Sequence, residues 1–256
     1  MAIPIQCDIG LGHPQRLSDF VQGGQPCTLC SSRLGGIFSD LDPSCLLKLD
    51  QLRQTVIYPS GTVVFMEGDP PRVAYCVCSG RLKLSIGSLD GRAAIVGIAV
   101  SGDILGVRPL LLERFQDLTA TTIEPTQLCF IPKEGFLGFL RQNENVSLRL
   151  AQKLSAELEE AYRKISGAVL DPPIKRLMEL LLALCQTHGQ HTQQGITLKT
   201  NLCQDELAEL VGVSRRSLNR ALAKLRRQGL IECRHRSILI RDWIALVNRL
   251  CSSGGF

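Results

Sequence analysis

Cysteine is the residue type through which this sequence could do chemistry, since eleven cysteines occur among its 256 residues. The first residues show no basic stretch followed by an apolar block, so we expect an unexported protein with reduced thiols rather than disulfides. Cys7, Cys27 and Cys30 lie in a polar, glycine-rich segment without a core to fill, which makes them candidate metal ligands. Four others fall in apolar periodic stretches, where a free thiol usually packs as a small, inert hydrophobe: Cys76, Cys78, Cys185 and Cys233.

A second group of residues points to a polyanionic partner. The net charge is only +5, but nine Lys and Arg residues fall between Val213 and Arg241, against one acidic residue, Glu232. A positive surface of this density suits nucleic acid, whereas a merely solvated helix face usually carries interspersed acids.

Sequence features of enzymes are missing. We find no Walker-type phosphate loop, no Ser/His/Asp constellation and no paired carboxylates at a useful spacing, and the four histidines are scattered. The longest apolar runs fall short of the roughly 20 residues that a membrane helix needs. We therefore predict a cytoplasmic protein that is not an enzyme and is long enough for two domains.

The elements that must position these residues follow from periodicity. Short β-branched segments alternate with turn signals from Thr55 to Pro132, which predicts a compact β-sandwich or roll. The stretch from Asn145 to Gly167 predicts one long helix, which Pro172-Pro173 end at a hinge. Its apolar stripe either packs on the β domain of its own chain or forms a symmetric dimer seam: Leu150, Leu154, Leu158, Ala161 and Ile165.

The last third of the sequence predicts a helix-turn-helix with a two-stranded wing. Helices over Gln204–Val211 and Arg215–Gln228 flank a turn at Gly212, and Ser214 is placed to cap the second helix. A helix and a polar loop precede them, and two short strands follow: Ile174–Gln186, Thr187–Gly195, Ile231–Cys233 and Ile238–Ile240. The cap and the exposed face of the first two turns of the second helix carry the residues that we assign to DNA binding: Ser214, Arg215, Arg216, Ser217, Asn219 and Arg220.

The order of these parts, the turn glycines and two motifs resemble the Crp/Fnr family of bacterial regulators. The residues concerned are Gly61, Gly68, Gly80, Gly102-Asp103-Ile104-Leu105-Gly106 and Gly212-Val213-Ser214-Arg215-Arg216-Ser217-Leu218-Asn219-Arg220. The resemblance runs from about Cys27 to Asp242 and implies an α+β protein. Its parts would be a Cys-containing segment (1–36), a cyclic-nucleotide-binding-type β-roll (37–142), a dimerisation helix (143–171) and a winged helix-turn-helix (172–256). It also implies a homodimer that binds a two-fold symmetric DNA operator and contacts RNA polymerase.

The resemblance does not extend to the nucleotide contacts of the cyclic-AMP-binding branch. In that branch, the turn after the Gly-Asp motif supplies a Glu for the ribose and an Arg-Ser pair for the phosphate. Here the stretches read Gly106-Val107-Arg108-Pro109 and Arg114-Phe115-Gln116-Asp117-Leu118-Thr119. Because the charge-assisted hydrogen bonds to phosphate would be lost, we expect no cyclic AMP binding, although Arg108 and Arg114 could serve another anion.

The cysteines instead resemble those of the oxygen-sensing Fnr branch, whose N-terminal cysteines and one roll cysteine hold an iron–sulfur cluster. Cys27, Cys30 and Cys129 match those placements. Thiolates two residues apart can hold one edge of a cluster, and a distant third closes it against the roll. The resemblance therefore implies a [4Fe–4S] cluster and a response to oxygen, nitric oxide or redox state.

The sequence differs from that branch at the fourth cluster ligand, because Gly36 occupies the position where a further cysteine is expected. Cys7 is our choice, since the glycine-rich span after it could fold it back; Cys45 and His13 are the alternatives. A three-ligand site with an open iron and a zinc site remain open as well. A separate hypothesis is a regulator of the same fold that binds a small organic effector or haem in the roll, with incidental cysteines.

The resemblance also bears on assembly. The Fnr branch carries an Asp at the seam of its dimer helix, and this sequence has Ala161 there. Removing like charges that would face each other across the two-fold axis favours association. We therefore expect a dimer even without a cluster or ligand.

Overall fold

A computed structural model describes residues 25–87, 93–199, 201–234 and 237–252. The first half contains two 3-10 turns (Cys27–Leu29 and Ser31–Gly35), α1 (Pro43–Leu52), β1 (Gln54–Tyr58), β2 (Val63–Phe65), β3 (Val73–Ser79), β4 (Leu82–Gly87), β5 (Ala93–Ala99), β6 (Ile104–Leu105), α2 (Val107–Leu112), β7 (Thr119–Thr122) and β8 (Thr126–Pro132). The second half contains α3 (Lys133–Gln142), α4 (Glu144–Leu170), α5 (Pro173–His188), β9 (Gly189–Thr192), β10 (Gly195–Lys199), α6 (Gln204–Val211), α7 (Arg215–Arg227), β11 (Ile231–Arg234), β12 (Ser237–Ile240) and α8 (Trp243–Ser252). One compact unit runs to residue 153, and the other begins at residue 154 and also takes in residues 94–97.

The β-roll expected from the alternating segments is confirmed as two four-stranded sheets, with strand orders β1-β8-β3-β6 and β2-β7-β4-β5. Apolar side chains from both sheets form one buried core, in which Phe65 and Tyr75 stack with their ring centroids 5.3 Å apart. Strands with one face on a core alternate apolar and other side chains with a period of two. The alternate side chains therefore lie on the outer face of each sheet, away from the roll core.

The outer face of β3 carries two cysteines that the sequence analysis places wrongly. Val73, Tyr75 and Val77 belong to the roll core, so the intervening Cys76 and Cys78 point away from it. Both thiols are partly exposed and are not inert core residues. Elsewhere the expectation is met, since Cys185 is buried in the core of the second unit and Cys233 packs against that core.

The long helix α4 separates into a buried start and an exposed remainder. Leu150 is only 3% exposed in the single chain, so our assignment of Leu150 to a dimer seam is wrong: it fills the core of its own unit. Leu154 is half-buried, and Ala161 is exposed. Leu158 and Ile165 are 53% and 63% exposed, so this part of the stripe lies largely at the surface of the single chain.

The second unit contains the expected helix-turn-helix, α6 and α7, packed with α5 on a shared leucine-rich core. Gly212 ends α6 with a left-handed φ of 70°, and Ala208 is buried. The sheet is larger than the predicted wing, because β9 and β10 extend it to the order β11-β12-β10-β9. Residues that we interpreted as a polar loop therefore form half of a hairpin, since Gly195 with φ 128° allows the tight turn into β10. Among the described helices, none is both long and apolar enough to cross a membrane.

Candidate functional site

Five cysteines from three parts of the chain line one pocket of the first unit. Cys27 and Cys30 come from the first 3-10 turn and the residue after it, Cys76 and Cys78 from β3, and Cys129 from β8. We call this the thiol pocket. It holds about 520 Å³ of space not filled by protein atoms, which includes open solvent at its mouth.

The register of the sheet explains why these thiols meet. Cys129 pairs with Cys76 on β3 and with Thr55 on β1. Residues directly opposite each other in an antiparallel pair point to the same face, so all three side chains lie outside the roll core. A register shift between Val77 and Ser79 follows, and Cys78 lies within it. The bulge aims the Cys78 side chain toward its neighbour on β8.

The sulfur atoms are in direct contact. Sγ of Cys78 lies 3.1 Å from Sγ of Cys129, and Sγ of Cys129 lies 3.3 Å from Oγ1 of Thr55. Sγ of Cys30 lies 2.8 Å from Oγ of Ser32. A disulfide would hold two sulfurs at about 2.05 Å. Cys78 and Cys129 are therefore free thiols that share a hydrogen bond, and the other cysteines of the pocket are free as well.

These contacts divide the thiols by protonation state. The hydrogen bond from Cys78 lowers the pKa of Cys129 to about 6, with further help from Thr55 and Arg53. A bond from Cys78 likewise lowers the pKa of Cys30 to about 5. The interactions with Cys129 and Cys30 in turn raise the pKa of the Cys78 thiol. Burial raises the pKa of Cys27 to about 12. The contacts thus favour the thiolate form of Cys30 and Cys129 and the protonated form of Cys78.

An ion pair at the end of α1 supports the pocket. Arg53 donates from Nη1 to Sγ of Cys129 at 3.2 Å and from Nη2 to the carbonyl of Gln25 at 2.7 Å. The guanidinium also pairs with Asp50 at 2.7 Å. Both carboxylate oxygens of Asp50 accept from the backbone N–H of Cys27, at 2.9 and 3.0 Å. Arg53 and Asp50 therefore fix the turn that carries Cys27 beside the strand that carries Cys129.

The sequence-predicted ligands have different outcomes. Cys27, Cys30 and Cys129 line the thiol pocket together. Cys7 and His13 lie outside the described residues. The thiol of Cys45 does not line the pocket and donates instead to Oδ1 of Asn143 at 3.1 Å.

Sequence reasoning missed Cys78 altogether. The signal that could have found it is the alternation along β3, Val73-Ala74-Tyr75-Cys76-Val77-Cys78, in which the large apolar residues take one face and both cysteines the other.

A second candidate site is the basic face of α7. Oγ of Ser214 accepts from the backbone N–H of Ser217 at 3.3 Å, which caps the helix and leaves its first turn at the surface. Leu218, Ala221, Leu222 and Leu225 are buried, so the opposite side faces solvent. That exposed side carries the polar residues singled out for DNA, Ser217 being half-buried: Arg215, Arg216, Asn219 and Arg220.

The loop after the Gly-Asp motif forms its own contacts. Gly106 caps the start of α2 with a left-handed φ of 74°, and Arg108 pairs with Asp117 at 3.0 Å. Both charged side chains are half-exposed. Arg108, the first cation after the Gly-Asp motif in the sequence, is thus paired with a carboxylate of the chain itself.

A β-roll with this loop, a long helix and a winged helix-turn-helix define a two-part class of DNA-binding regulator. The Cyclic nucleotide-binding domain model matches residues 55–143, and the Crp-like helix-turn-helix domain model matches residues 175–249. The chain belongs to the Crp/Fnr family of transcription regulators, as the resemblance implies.

Relatives cover most of the chain. It is 30% identical over 216 residues to the CRP-like cAMP-activated global transcriptional regulator of Mycobacterium tuberculosis, covering 84% of this chain and 96% of that one. It is 26% identical to the nitrogen fixation regulation protein FixK of Bradyrhizobium diazoefficiens, covering 86% and 91%. The structure of the c-di-GMP responsive global regulator CLP of Xanthomonas campestris is similar, with a TM-score of 0.69 and 25% identity over 78% of this chain and 100% of that one. Membership of this family makes the chain a transcription regulator. The names of its relatives indicate that they respond to different signals.

Proposed function

We propose that this regulator senses oxygen, nitric oxide or redox state through an iron–sulfur cluster held in the thiol pocket. The observation that carries the proposal is the convergence of Cys27, Cys30 and Cys129 from the N-terminal segment and from β8 onto one pocket. Cysteine thiolates are the usual ligands of such clusters.

The donor set is of the type that holds iron–sulfur clusters, because cysteine sulfurs line the pocket. Among the described residues, no three Cys, His, Asp or Glu side chains surround one point as the ligands of a lone metal ion would. The pocket nevertheless brings several sulfurs to one space with a thiolate character at Cys30 and Cys129. The guanidinium of Arg53, 3.2 Å from Sγ of Cys129, would offset the negative charge of a thiolate-bound group. A [4Fe–4S] cluster would supply a reactive centre whose loss or oxidation changes the pocket.

The output of the sensor is DNA binding. We assign operator contacts to Ser214, Arg215, Arg216, Ser217, Asn219 and Arg220, which lie at the cap and on the first two turns of α7. The apolar row on α4 pairs two copies, so that two recognition helices meet a two-fold symmetric operator in the cytoplasm, with RNA polymerase as a further partner. The exposed part of this row is Leu158, Ala161 and Ile165.

Cyclic AMP is the second candidate signal, because a relative with 30% identity is cAMP-activated by name and a nucleotide-binding model covers the roll. We propose that this chain does not use it, since Arg108 is paired with Asp117 and the Glu and Arg-Ser contacts are missing from the sequence. A small organic effector or haem in the roll is the other alternative.

Purification without oxygen separates these functions. Brown protein with iron and acid-labile sulfide, whose absorbance bleaches in air, supports the cluster. A sharp Soret band would instead identify haem. A colourless protein whose affinity for operator DNA rises with cyclic AMP would overturn the proposal and establish the second candidate. Titration of cyclic AMP into the anaerobic protein is the direct control.

A further inference from the structure

The place of the expected fourth cysteine is blocked in this fold. Gly36 lines the thiol pocket, but a Cβ built on it would lie 2.7 Å from the carbonyl oxygen of Gly102. Real Cβ atoms do not approach backbone so closely, and neither backbone segment is a flexible side chain that could turn away. A thiol at residue 36 would thus require the loop after β5 to move. The pocket must be completed from elsewhere.

Cys78 lies in the thiol pocket, where it could replace the cysteine that is missing at residue 36. Its Sγ lies 3.1 Å from Sγ of Cys129, and it lines the same pocket as Cys27 and Cys30, so it lies beside ligands from both parts of the chain. The bulge in β3 turns it toward them, and Gly102 N–H bonds Val77 O at 2.9 Å to hold that strand against the loop that blocks Gly36. The same backbone arrangement excludes one thiol and presents the other.

We propose that Cys78 is the fourth cysteine ligand of the cluster, with Cys27, Cys30 and Cys129, in place of Cys7. The inference rests on the proposed iron–sulfur function. On binding, the Cys78 sulfur forms a bond to iron and its proton passes to solvent, as happens whenever a thiol becomes a metal ligand. The hydrogen bond between Cys78 and Cys129 would be replaced by bonds from both sulfurs to the same cluster.

Metal content of single variants tests the inference. The full-length chain is reconstituted without oxygen with ferrous iron and sulfide, and iron and acid-labile sulfide are measured per chain. We expect Cys78→Ser to lose both to the level of Cys129→Ser, and Cys7→Ser to retain both. Cys45→Ser is the matched control, because its partly exposed thiol also makes one hydrogen bond but lies outside the pocket.

The outcomes separate the two proposals. A wild-type protein that takes up no cluster refutes the proposed function and, with it, this inference. A loaded wild type together with a fully loaded Cys78→Ser overturns only the assignment of Cys78. Loss in Cys7→Ser or Cys76→Ser with retention in Cys78→Ser would assign the position to that other cysteine and also overturn it.

A measurement on the wild type covers the case in which Cys78→Ser does not fold. Iodoacetamide is added without oxygen to loaded and to chelator-stripped protein, and modified cysteines are identified by mass spectrometry. We expect Cys78 to be protected only in the loaded protein, and Cys7 to be modified in both. Cys203, whose thiol is exposed, should react in both and reports that the reagent is active. Equal modification of Cys78 in the two samples would refute its ligation.

Discussion

The guanidinium of Arg53 lies between a carboxylate and a sulfur: Nη1 is 3.2 Å from Sγ of Cys129, while the group also pairs with Asp50 at 2.7 Å. Its side chain is only 10% exposed. A charge this well enclosed has no water to replace a partner that is lost. Arg53 is therefore a positioning residue for the thiol pocket.

Replacing Arg53 with Ala should destabilise the cluster-free protein by about 1–3 kcal/mol, because it removes hydrogen bonds to charged and polar partners and leaves Asp50 without its cation. Urea unfolding under reducing conditions measures the change. Lys133→Ala is the control, since its ion pair with the exposed Glu113 should contribute less than about 1 kcal/mol. Equal effects of the two substitutions would show that Arg53 has no special structural role.

Arg220 is expected to read a base, because it is exposed on the second turn of α7 and Arg pairs bidentately with guanine. Arg220→Ala should cost about 1–3 kcal/mol of operator affinity and relax specificity at one position in each half-site. Selection from a randomised operator library measures both effects. Arg227→Ala, at the far end of α7, is the control and should leave specificity unchanged. If Arg220→Ala weakened binding to every sequence equally, Arg220 would contact only phosphate.

The cap of α7 should contribute to stability in the absence of DNA. Oγ of Ser214 accepts from the N–H of Ser217, and removing such a cap usually costs about 0.5–2 kcal/mol. Ser214→Ala should lower the free energy of unfolding by this amount, and Ser214→Asp should restore it because a carboxylate accepts the same bond. Thermal unfolding of the DNA-free protein provides the comparison. An Ala variant as stable as wild type would show that solvent satisfies this N–H equally well.

The exposed row on α4 predicts a dimer in the cluster-free state. Leu158 and Ile165 continue into Val169, which is 78% exposed, and Ala161 lies beside them. Ala161→Asp would place two carboxylates across the two-fold axis and should weaken association by on the order of 1 kcal/mol or more.

Sedimentation at micromolar concentration checks this prediction. Ala156→Asp adds the same charge on another face of α4 and is the control. A cluster-free wild type that sediments as a monomer would contradict the argument from Ala161.

Much of the fold follows from local pattern. The period of two in the strands, the steps of three and four in α4, and the Gly212 turn with its Ser214 cap predict the roll, the long helix and the helix-turn-helix that the structure contains. These features depend on neighbours a few residues apart, which is the range over which sequence pattern is informative.

Features that depend on distant pairing could not be obtained in this way. The role of Leu150 is decided by the core it meets, and the strand β9 exists because β10 pairs with it. The contact between Cys78 and Cys129 joins residues 51 positions apart through a register shift that no local signal announces. From the sequence alone, Gly36 is a position where a ligand cysteine has been replaced. Only the structure shows that the backbone of Gly102 leaves no room for a side chain there.

The two faces of β3 have a consequence for how such regulators diverge. Val73, Tyr75 and Val77 belong to the roll core, whereas Cys76 and Cys78 lie on the other face and line the thiol pocket. Selection can therefore act on the chemical input and on the scaffold through separate sets of codons within one short segment. A lineage could exchange one signal for another by substitutions at alternate residues, while the scaffold and the DNA reader are inherited unchanged.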